Sequence, residues 1–399
     1  MSVARIFPIS SKWTQYPLCP IFACLLGFEV NFGAKNCDLM EENIKTMKTK
    51  TLFEFGKLFT PKSYTGFRVN TRLDESAAAL EAVSKQGFDH WVVMFSGGKD
   101  STTTLIVSLE TILERNLPVR RVDIVYADTL VEIPPIRDFA YSFLLFLRTF
   151  EKIAPLPIFI HVLKPSMEER FWVCLLGKGY PPPHQRFRWC TKRLKIKPVE
   201  AALKSQTEPN RTVILTGIRF GESADRDRRL NYSCHRGGEC GQGVWFKYSS
   251  RLKAAYLAPI VYWQECDVWD FLNYLAPEWG YPSHFLEKEV YNGRETRFGC
   301  WTCTVVRQDK AMEKITAQPK WTHLRPLMEY RERLVNLTSS RESRYCRPNG
   351  MPGRLSLKTR EQLLSELLQL QEHLNKPLIA KKEVSLIRTL WCDPRYGKY

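Results

Sequence analysis

The sequence lacks any apolar run that would cross a bilayer securely. The apolar stretch nearest the start, residues 16–30, has no Arg/Lys-rich segment before it and no Ala-x-Ala-like cleavage site after it. The chain also has no internal repeat and no low-complexity tract. These absences argue against membrane-spanning and secreted classes, so we expect a cytoplasmic protein with no membrane partner.

The chain also lacks the character of a disulfide-rich domain, although it contains twelve cysteines in 399 residues. Disulfide frameworks belong mainly to small secreted domains, and this chain is neither small nor visibly secreted. We therefore expect reduced thiols, several of them free to bind a metal or cluster. Cys174, Cys266, Cys346 and Cys392 have no partner at ligand spacing and are interpreted as structural.

The sequence has fewer acidic than basic residues: 42 Asp and Glu against 59 Lys and Arg, which gives a formal net charge of +17. A polyanionic partner such as nucleic acid is one interpretation, and simple solubility is the other. Basic runs at 188–197, 226–229 and 341–347 would suit a phosphate backbone or a solvated face. No recognition-helix signature accompanies them, so sequence-specific readout is not indicated.

Apolar strands alternate with helix-length segments from about residue 73 onward. Strands are predicted at 90–95, 122–127, 158–163, 213–218 and 257–261, and helices at 73–86, 101–115, 135–150, 267–275 and 358–373. This alternation favours an α/β fold with a parallel sheet and helices on both faces. We predict a partly irregular N-terminal extension (1–72), the α/β domain (73–280), and a loop-rich CxxC region with a helical C-terminal extension (281–399).

A glycine turn, Ser96-Gly97-Gly98-Lys99-Asp100-Ser101, follows the first of these strands. Paired glycines allow a tight turn and leave N–H groups open at a helix N-terminus, where the helix dipole attracts phosphate. Lys99 adds a point charge, while Asp100 could cap the helix and help to hold Mg²⁺. The spacing is not that of a Walker A loop, yet it predicts a nucleotide-phosphate site.

The turn resembles the SGGxDS loop of the PP-loop family. Members of that family cleave ATP between the α and β phosphates and adenylate an oxygen of their substrate. The resemblance implies a Rossmann-like adenine nucleotide alpha hydrolase fold, with ATP and Mg²⁺ as cofactors.

The chain is further similar to the phosphoadenosine-phosphosulfate (PAPS) reductase-like branch, from about Asp89 to Met312. The similarity is carried by Ala127-Asp128-Thr129 with Glu132 and Pro134, by residues 189–195, by Gly217-Ile218-Arg219 with Glu222, Ser223 and Arg226, and by Asp267-Val268-Trp269. It implies nucleotide binding by Ser96, Gly97, Gly98, Lys99, Asp100, Ser101, Asp128, Thr129, Gly217, Arg219 and Arg226. Catalytic roles are implied for Lys99, Asp100, Cys190 and Arg219. In an open α/β sheet, the loop, Asp128 and Arg219 would meet beyond the carboxyl ends of the strands.

Within this branch, residues 297–306 with Asp309, Lys310 and Met312 resemble the signature of DndC-type sulfurtransferases of DNA phosphorothioation. Those enzymes replace a nonbridging oxygen of the DNA backbone with sulfur. The resemblance implies nucleic acid as a partner, with DNA favoured and tRNA as the other candidate. It also implies a cysteine desulfurase as sulfur donor, other modification-complex subunits and a 4Fe-4S cluster.

The spacing of Cys300-x-x-Cys303 suits a metal or cluster, but it equally suits zinc or a redox dithiol. The DndC-type pattern leads us to expect two further cysteines shortly before this pair, and residues 284–299 contain none. We therefore predict Cys234, Cys240, Cys300 and Cys303 as the cluster ligands. Cys190 remains a sulfur-carrying residue or a competing ligand.

Two other functions stay open from the sequence. In a sulfonucleotide reductase the nucleotide is itself the substrate and a catalytic cysteine attacks its sulfur, but Trp391-Cys392-Asp393 does not clearly reproduce the reductase tail. The other alternative is a non-catalytic nucleotide-binding or DNA-binding component of a defence complex.

Overall fold

The structure is a computed structural model that describes residues 67–221, 245–250, 252–291 and 299–397. Eight strands lie in this part of the chain: β1 His90–Phe95, β2 Arg121–Ala127, β3 Ile158–Leu163, β4 Thr212–Leu215, β5 Trp245–Ser249, β6 Ala254–Ala258, β7 Arg344–Cys346 and β8 Pro352–Leu355. The α-helices are α1 Phe67–Lys85, α2 Lys99–Glu114, α3 Pro134–Thr149, α4 Lys197–Gln206, α5 Glu265–Asp270, α6 Ala276–Glu278, α7 Lys310–Thr316, α8 Arg325–Ser339, α9 Leu357–Leu374, α10 Lys381–Cys392 and α11 Pro394–Gly397. Four π-helical turns are also present, at Val173–Gly177, Thr191–Ile196, Phe271–Leu275 and Leu286–Tyr291.

Strands β1 to β6 form one sheet in the order β3-β2-β1-β4-β6-β5. All neighbouring pairs are parallel except β5 with β6, which is antiparallel. The predicted α/β fold with a mostly parallel sheet is therefore confirmed. The antiparallel edge strand β5 was not predicted, because it directly follows the polar, glycine-rich stretch.

Side chains on the two faces of the sheet enter different apolar clusters, as the alternation along a strand requires. Trp91, Val93 and Phe95 of β1 pack in the larger cluster with α1, α2 and α3. Val92 lies on the other face, in a small cluster with Leu203 of α4. Both faces are thus covered, which explains why the strands read as nearly continuous apolar runs.

A separate apolar core holds the C-terminal helices. Residues 171–176, together with Trp189 and Leu194, pack there with buried residues from 301–387. The predicted amphipathic helix over 358–373 is confirmed as α9, whose Ser356 hydroxyl accepts a hydrogen bond from the Thr359 amide at the helix start. The predicted domain boundaries remain predictions.

The order of the strands also locates a crevice. The chain leaves β1 toward β2 on one side and leaves β4 toward β6 on the other, so the loops after β1 and β4 diverge. Ligands of open α/β sheets bind at such a switch point, beyond the carboxyl ends of the strands. The strand predicted over 213–218 ends early, at Leu215, and this frees residues 216–219 to turn into the crevice.

No helix in the described ranges has the length and apolar character needed to cross a membrane.

Candidate active site

The phosphate loop between β1 and α2 depends on its glycines. Gly97 has a φ of +74°, and a Cβ added to it would lie 2.7 Å from the Cβ of Ala140 on α3. Gly98 is the N-cap of α2 and brings no side chain to the helix start. The Lys99 amide instead donates to the hydroxyl of Tyr291, at 3.1 Å. Asp100 was expected to cap the helix, and that expectation is wrong because Asp100 lies inside the first turn.

Charged side chains converge at the start of α2. The Lys99 ammonium lies 3.1 Å from Asp100 Oδ2 and 3.5 Å from Glu265 Oε1. Arg219, from the segment after β4, places its Nε 2.5 Å from Asp100 Oδ1 and donates through Nη1 to the Trp263 carbonyl. The structure therefore brings Lys99, Asp100 and Arg219 into one cluster, although 119 residues separate Asp100 from Arg219.

Gly217 makes this meeting possible. A Cβ at Gly217 would lie 2.8 Å from the carbonyl carbon and oxygen of Asp100 and 2.9 Å from the amide nitrogen of Ser101. Only a glycine lets the segment after β4 lie directly against the start of α2. That close approach carries Arg219 to the phosphate loop.

Asp128 and Thr129 follow β2 at the same edge of the sheet, and both are fully buried. The Asp128 carboxylate accepts hydrogen bonds from the Leu130 amide (2.8 Å) and the Tyr141 hydroxyl (2.7 Å). Thr129 Oγ1 lies 3.6 Å from Cys300 Sγ. The loop after β2 therefore joins the nucleotide edge to the cysteine pair.

The cysteine pair is held against this same loop. Cys300 forms a β-bridge with Glu132, and the Trp301 amide donates to the Val131 carbonyl at 3.1 Å. Burial raises the pKa of the Cys300 thiol to about 12, although the Lys195 ammonium opposes that rise. Burial also raises the pKa of Cys190, and the neighbouring Cys303 thiol adds to this rise.

Lys195 interacts electrostatically with an acidic side chain and with two thiols of this site. Its Nζ lies 3.7 Å from Glu132 Oε1. Burial lowers its pKa, but Cys300, Glu132 and Cys190 outweigh that effect and leave the pKa raised. Cys190, Cys300 and Cys303 thus share one neighbourhood with a lysine that stays protonated.

The described thiols alone do not fit a four-thiolate cluster. Cys174, Cys190, Cys266, Cys300, Cys303, Cys346 and Cys392 are free. Within the described ranges, no group of three or more His, Cys, Asp or Glu side chains is arranged to hold a metal ion. Cys234, Cys240 and Arg226 lie outside the described residues, so their predicted roles stay predictions.

Sequence reasoning missed two residues that shape the site. Tyr291 ends the π-helical turn Leu286–Tyr291, inside the region predicted to be loop-rich, and its hydroxyl contacts the phosphate loop. Arg331 of α8 is 1% exposed, and its guanidinium donates to the carbonyls of Cys303 (2.8 Å) and Val306 (2.5 Å). It fixes the chain immediately after the cysteine pair. Neither position carries a motif, so no sequence signal could have identified them.

The profile of the phosphoadenosine phosphosulfate reductase domain matches residues 90–306, which is more than half of the chain. The chain belongs to this family. The matched range includes the phosphate loop, Asp128, Arg219 and the cysteine pair, and it confirms the predicted PAPS reductase-like resemblance. Membership in the PAPS reductase domain family supports the conclusion that the chain is an enzyme that acts on nucleotides in sulfur-related chemistry.

One curated protein is distantly similar to this PAPS reductase domain protein. The uncharacterized protein MJ0066 of Methanocaldococcus jannaschii is 25% identical over 248 residues, covering 61% of this chain and 42% of that protein. The chain therefore spans about two fifths of the length of this curated relative.

Two solved structures are also similar to the chain. The PAPS reductase of Candida auris, in a phosphate complex, has a TM-score of 0.36 and 16% identity over 61% of this chain and 98% of that one. The FMN adenylyltransferase of Candida glabrata, with FMN and the ATP analog AMPCPP, has a TM-score of 0.34 and 11% identity over 62% and 69%. Both scores are too low to carry a functional argument.

Proposed function

We propose that the chain is an ATP pyrophosphatase that adenylates a nucleic-acid phosphate, with DNA as the preferred acceptor, and supports replacement of the activated oxygen by sulfur. The observation that carries this proposal is the contact between the two halves of the site. Thr129, which follows Asp128 at the nucleotide edge, lies 3.6 Å from the Cys300 thiol. A nucleotide site and a thiol site that share one loop suit a reaction that uses both.

The first step would be adenylation. A nonbridging oxygen of the acceptor attacks the α-phosphorus of ATP, the bond between the α-phosphorus and the bridging oxygen breaks, and pyrophosphate leaves. The N-terminus of α2 and the Lys99 ammonium would hold the phosphates. Lys99 and Arg219 are the cations placed to offset the negative charge that builds on the leaving pyrophosphate.

The second step would replace the activated oxygen. A persulfide carried on Cys190 attacks the acceptor phosphorus through its terminal sulfur, the bond to the adenylated oxygen breaks, and AMP leaves. The Cys303 thiolate then attacks the Cys190 sulfur, which frees the thiophosphate and leaves a Cys190–Cys303 disulfide. A cysteine desulfurase would load the sulfur, and an external dithiol would reduce the disulfide. None of these steps needs an iron-sulfur cluster.

An acidic polymer as acceptor is supported by the surface around Cys190. Arg186, Arg188 and Lys192 are exposed on the segment that carries this cysteine. Phe187, in the same segment, is 42% exposed. Cations with an interleaved aromatic ring suit a single-stranded nucleic acid, because the cations contact phosphates and the ring stacks on a base. Other modification-complex subunits and a cytoplasmic location remain predictions.

The decisive experiment incubates the purified chain with ATP, Mg²⁺, a sulfur-loaded cysteine desulfurase, a dithiol and single-stranded DNA. We expect pyrophosphate release, and phosphorothioate dinucleotides in the nuclease digest by mass spectrometry. Lys99→Met should abolish both products. Release of sulfite from PAPS would instead establish the reductase, and binding of ATP without any turnover would establish a non-catalytic role.

The iron-sulfur prediction needs its own measurement. Anaerobically purified protein is assayed for iron, sulfide and zinc, alongside Cys300→Ser and Cys240→Ser variants. We predict iron and sulfide in the wild-type protein and a loss in both variants. Protein without iron that still releases pyrophosphate would remove the cluster and leave the adenylation proposal standing.

A further inference from the structure

Three cations gather at the carboxyl ends of β2 and β3, next to the nucleotide edge. Lys164 directly follows β3, where Ala127 and Leu163 are register partners and the Asp128 amide donates to the Leu163 carbonyl at 2.9 Å. Lys164 therefore lies beside Asp128. Arg137, in the first turn of α3, has its Nε 3.5 Å from Asp128 Oδ2. Arg170 is the third cation of the group, and its repulsion contributes to the lowered pKa of Lys164.

The three cations of this group outnumber the two carboxylates that they contact, those of Asp128 and Glu383. Asp128 already accepts hydrogen bonds from Leu130 and Tyr141, and Arg170 is paired with Glu383 on α10 at 3.2 Å. Lys164 makes no hydrogen bond or ion pair with a described residue. Burial lowers the pKa of Lys164; the attraction of Asp128 opposes this fall, and the repulsion of Arg137 and Arg170 adds to it.

Two buried donors of the group make no hydrogen bond within the described part of the chain, although one of them, Arg137 Nε, forms the ion pair with Asp128. The Nε atoms of Arg137 and Arg170 are buried and have no hydrogen-bond partner among the described residues. Arg170 as a whole is only 8% exposed. A buried donor without a partner is costly, and most such groups in folded proteins are satisfied by protein, water or ligand. In the described ranges, a half-buried lysine without an ion pair and the Arg170 Nε are therefore the unpartnered donors of the group, and Arg137 adds a guanidinium whose Nε is held by a 3.5 Å ion pair.

We propose that Lys164, Arg137 and Arg170 form a second oxyanion site, separate from the triphosphate site, which takes one backbone phosphate of the acceptor nucleic acid. Guanidinium groups and a lysine ammonium are the donors that suit a phosphate oxyanion. The site borders Asp128, whose neighbour Thr129 contacts Cys300, so a phosphate bound here lies at the junction of the nucleotide and thiol sites. The identity of the acceptor rests on the proposed function, whereas the oxyanion chemistry does not.

The site is tested by fluorescence anisotropy with a short labelled single-stranded DNA, comparing wild type, Lys164→Met, Lys164→Arg and Lys204→Met. Lys204 is an exposed lysine on α4 and serves as a charge-matched control. Loss of one charge-assisted contact should weaken DNA binding by about tenfold in Lys164→Met. The slope of log affinity against log salt should fall by about one. Lys164→Arg should restore most of the affinity, and Lys204→Met should behave like wild type.

Two further probes separate the sources of phosphate. The same oligonucleotide with an uncharged methylphosphonate backbone should lose its sensitivity to Lys164→Met. In a second series, inorganic phosphate and adenosine 3′,5′-bisphosphate are added as competitors, and each should displace the labelled DNA. Each compound should also protect Lys164, but not Lys204, from acetylation, which is measured by mass spectrometry. Protection by the bisphosphate alone would make this a mononucleotide site and overturn the backbone-phosphate assignment.

The proposal is overturned if Lys164→Met and Lys204→Met bind DNA equally well, or if no phosphate compound protects Lys164. ATP affinity and pyrophosphate release are measured on the same variants. If the wild-type protein releases no pyrophosphate but phosphate compounds still protect Lys164, the proposed function is rejected and the oxyanion site is kept. The reverse result would reject only the oxyanion site.

Discussion

Gly217→Ala tests how tightly the segment after β4 is fitted to the phosphate loop. The added methyl would lie 2.8 Å from the Asp100 carbonyl group, where ordinary contacts begin at 3.4 Å. The segment and the start of α2 must therefore separate by about 0.6 Å, and the obstructing atoms are backbone atoms that cannot rotate away. Such overpacking costs about 1–3 kcal/mol of unfolding free energy.

The same displacement should weaken nucleotide binding. Arg219 and the first amides of α2 would both move, and loss of one charge-assisted hydrogen bond weakens ATP binding by about tenfold to a hundredfold. Calorimetric titration with ATP and urea denaturation measure the two effects. Gly221→Ala is the matched control, since its φ is +82° but no atom of a described residue lies within 4 Å of the added methyl. It should cost about 1–2 kcal/mol of stability through the left-handed backbone and leave ATP affinity nearly unchanged. Equal ATP affinity in the two variants would refute the steric argument.

Four further predictions concern single side chains. Tyr291→Phe frees the Lys99 amide and should raise ATP affinity by about fivefold in calorimetry; weaker binding would mean that the hydroxyl contacts the bound nucleotide. Arg331→Met leaves the Cys303 and Val306 carbonyls unpaired, so iodoacetamide should label Cys303 faster by mass spectrometry, relative to exposed Cys266, and Arg331→Lys should restore part of the protection. In metal-free protein Cys300 has a pKa of about 12, so it is a thiolate in only about one molecule in ten thousand at pH 8. Its alkylation should therefore be far slower than that of exposed Cys392 and should rise steeply above pH 9, and equal rates would contradict its raised pKa. Finally, burial raises the pKa of Asp123, but hydrogen bonds from His161, His90 and Arg121 outweigh it and hold the pKa far below its usual value. That carboxylate contributes stability above about pH 4, which is lost as pH falls toward its folded pKa. Urea denaturation of Asp123→Asn should therefore show a weaker fall in unfolding free energy between pH 4 and pH 2 than wild type, and parallel curves would exclude this role.

The sequence could predict the parts of the fold that are encoded locally. β1 and β3 have the predicted bounds, because apolar runs of strand length are flanked by clear turn signals. α2 begins at Lys99, two residues before its predicted start, because Gly98 rather than Asp100 is the N-cap. The π-helical turns were not predicted, since their side-chain pattern does not differ from that of an α-helix.

Less of the candidate site than of the fold could be predicted from the sequence. The meeting of Arg219 with the phosphate loop follows from a general property of parallel sheets, that loops from neighbouring strands share one edge. The hydrogen bond from Lys99 to Tyr291 spans 192 positions and depends on how the helices pack, which no motif records. The neighbourhood of Cys190 and Cys303 likewise depends on the second apolar core, because the region from 301 onward packs against residues 171–194.

The way this second core is shared limits how the protein can be dissected. Val131 and Ile133, on the loop after β2, are buried among side chains that belong to the C-terminal helices. A fragment ending near residue 280 would keep the whole parallel sheet and yet expose this apolar surface to water. Such a truncation is expected to aggregate rather than yield a minimal nucleotide-binding unit, so functional dissection of this protein calls for point substitutions in the intact chain.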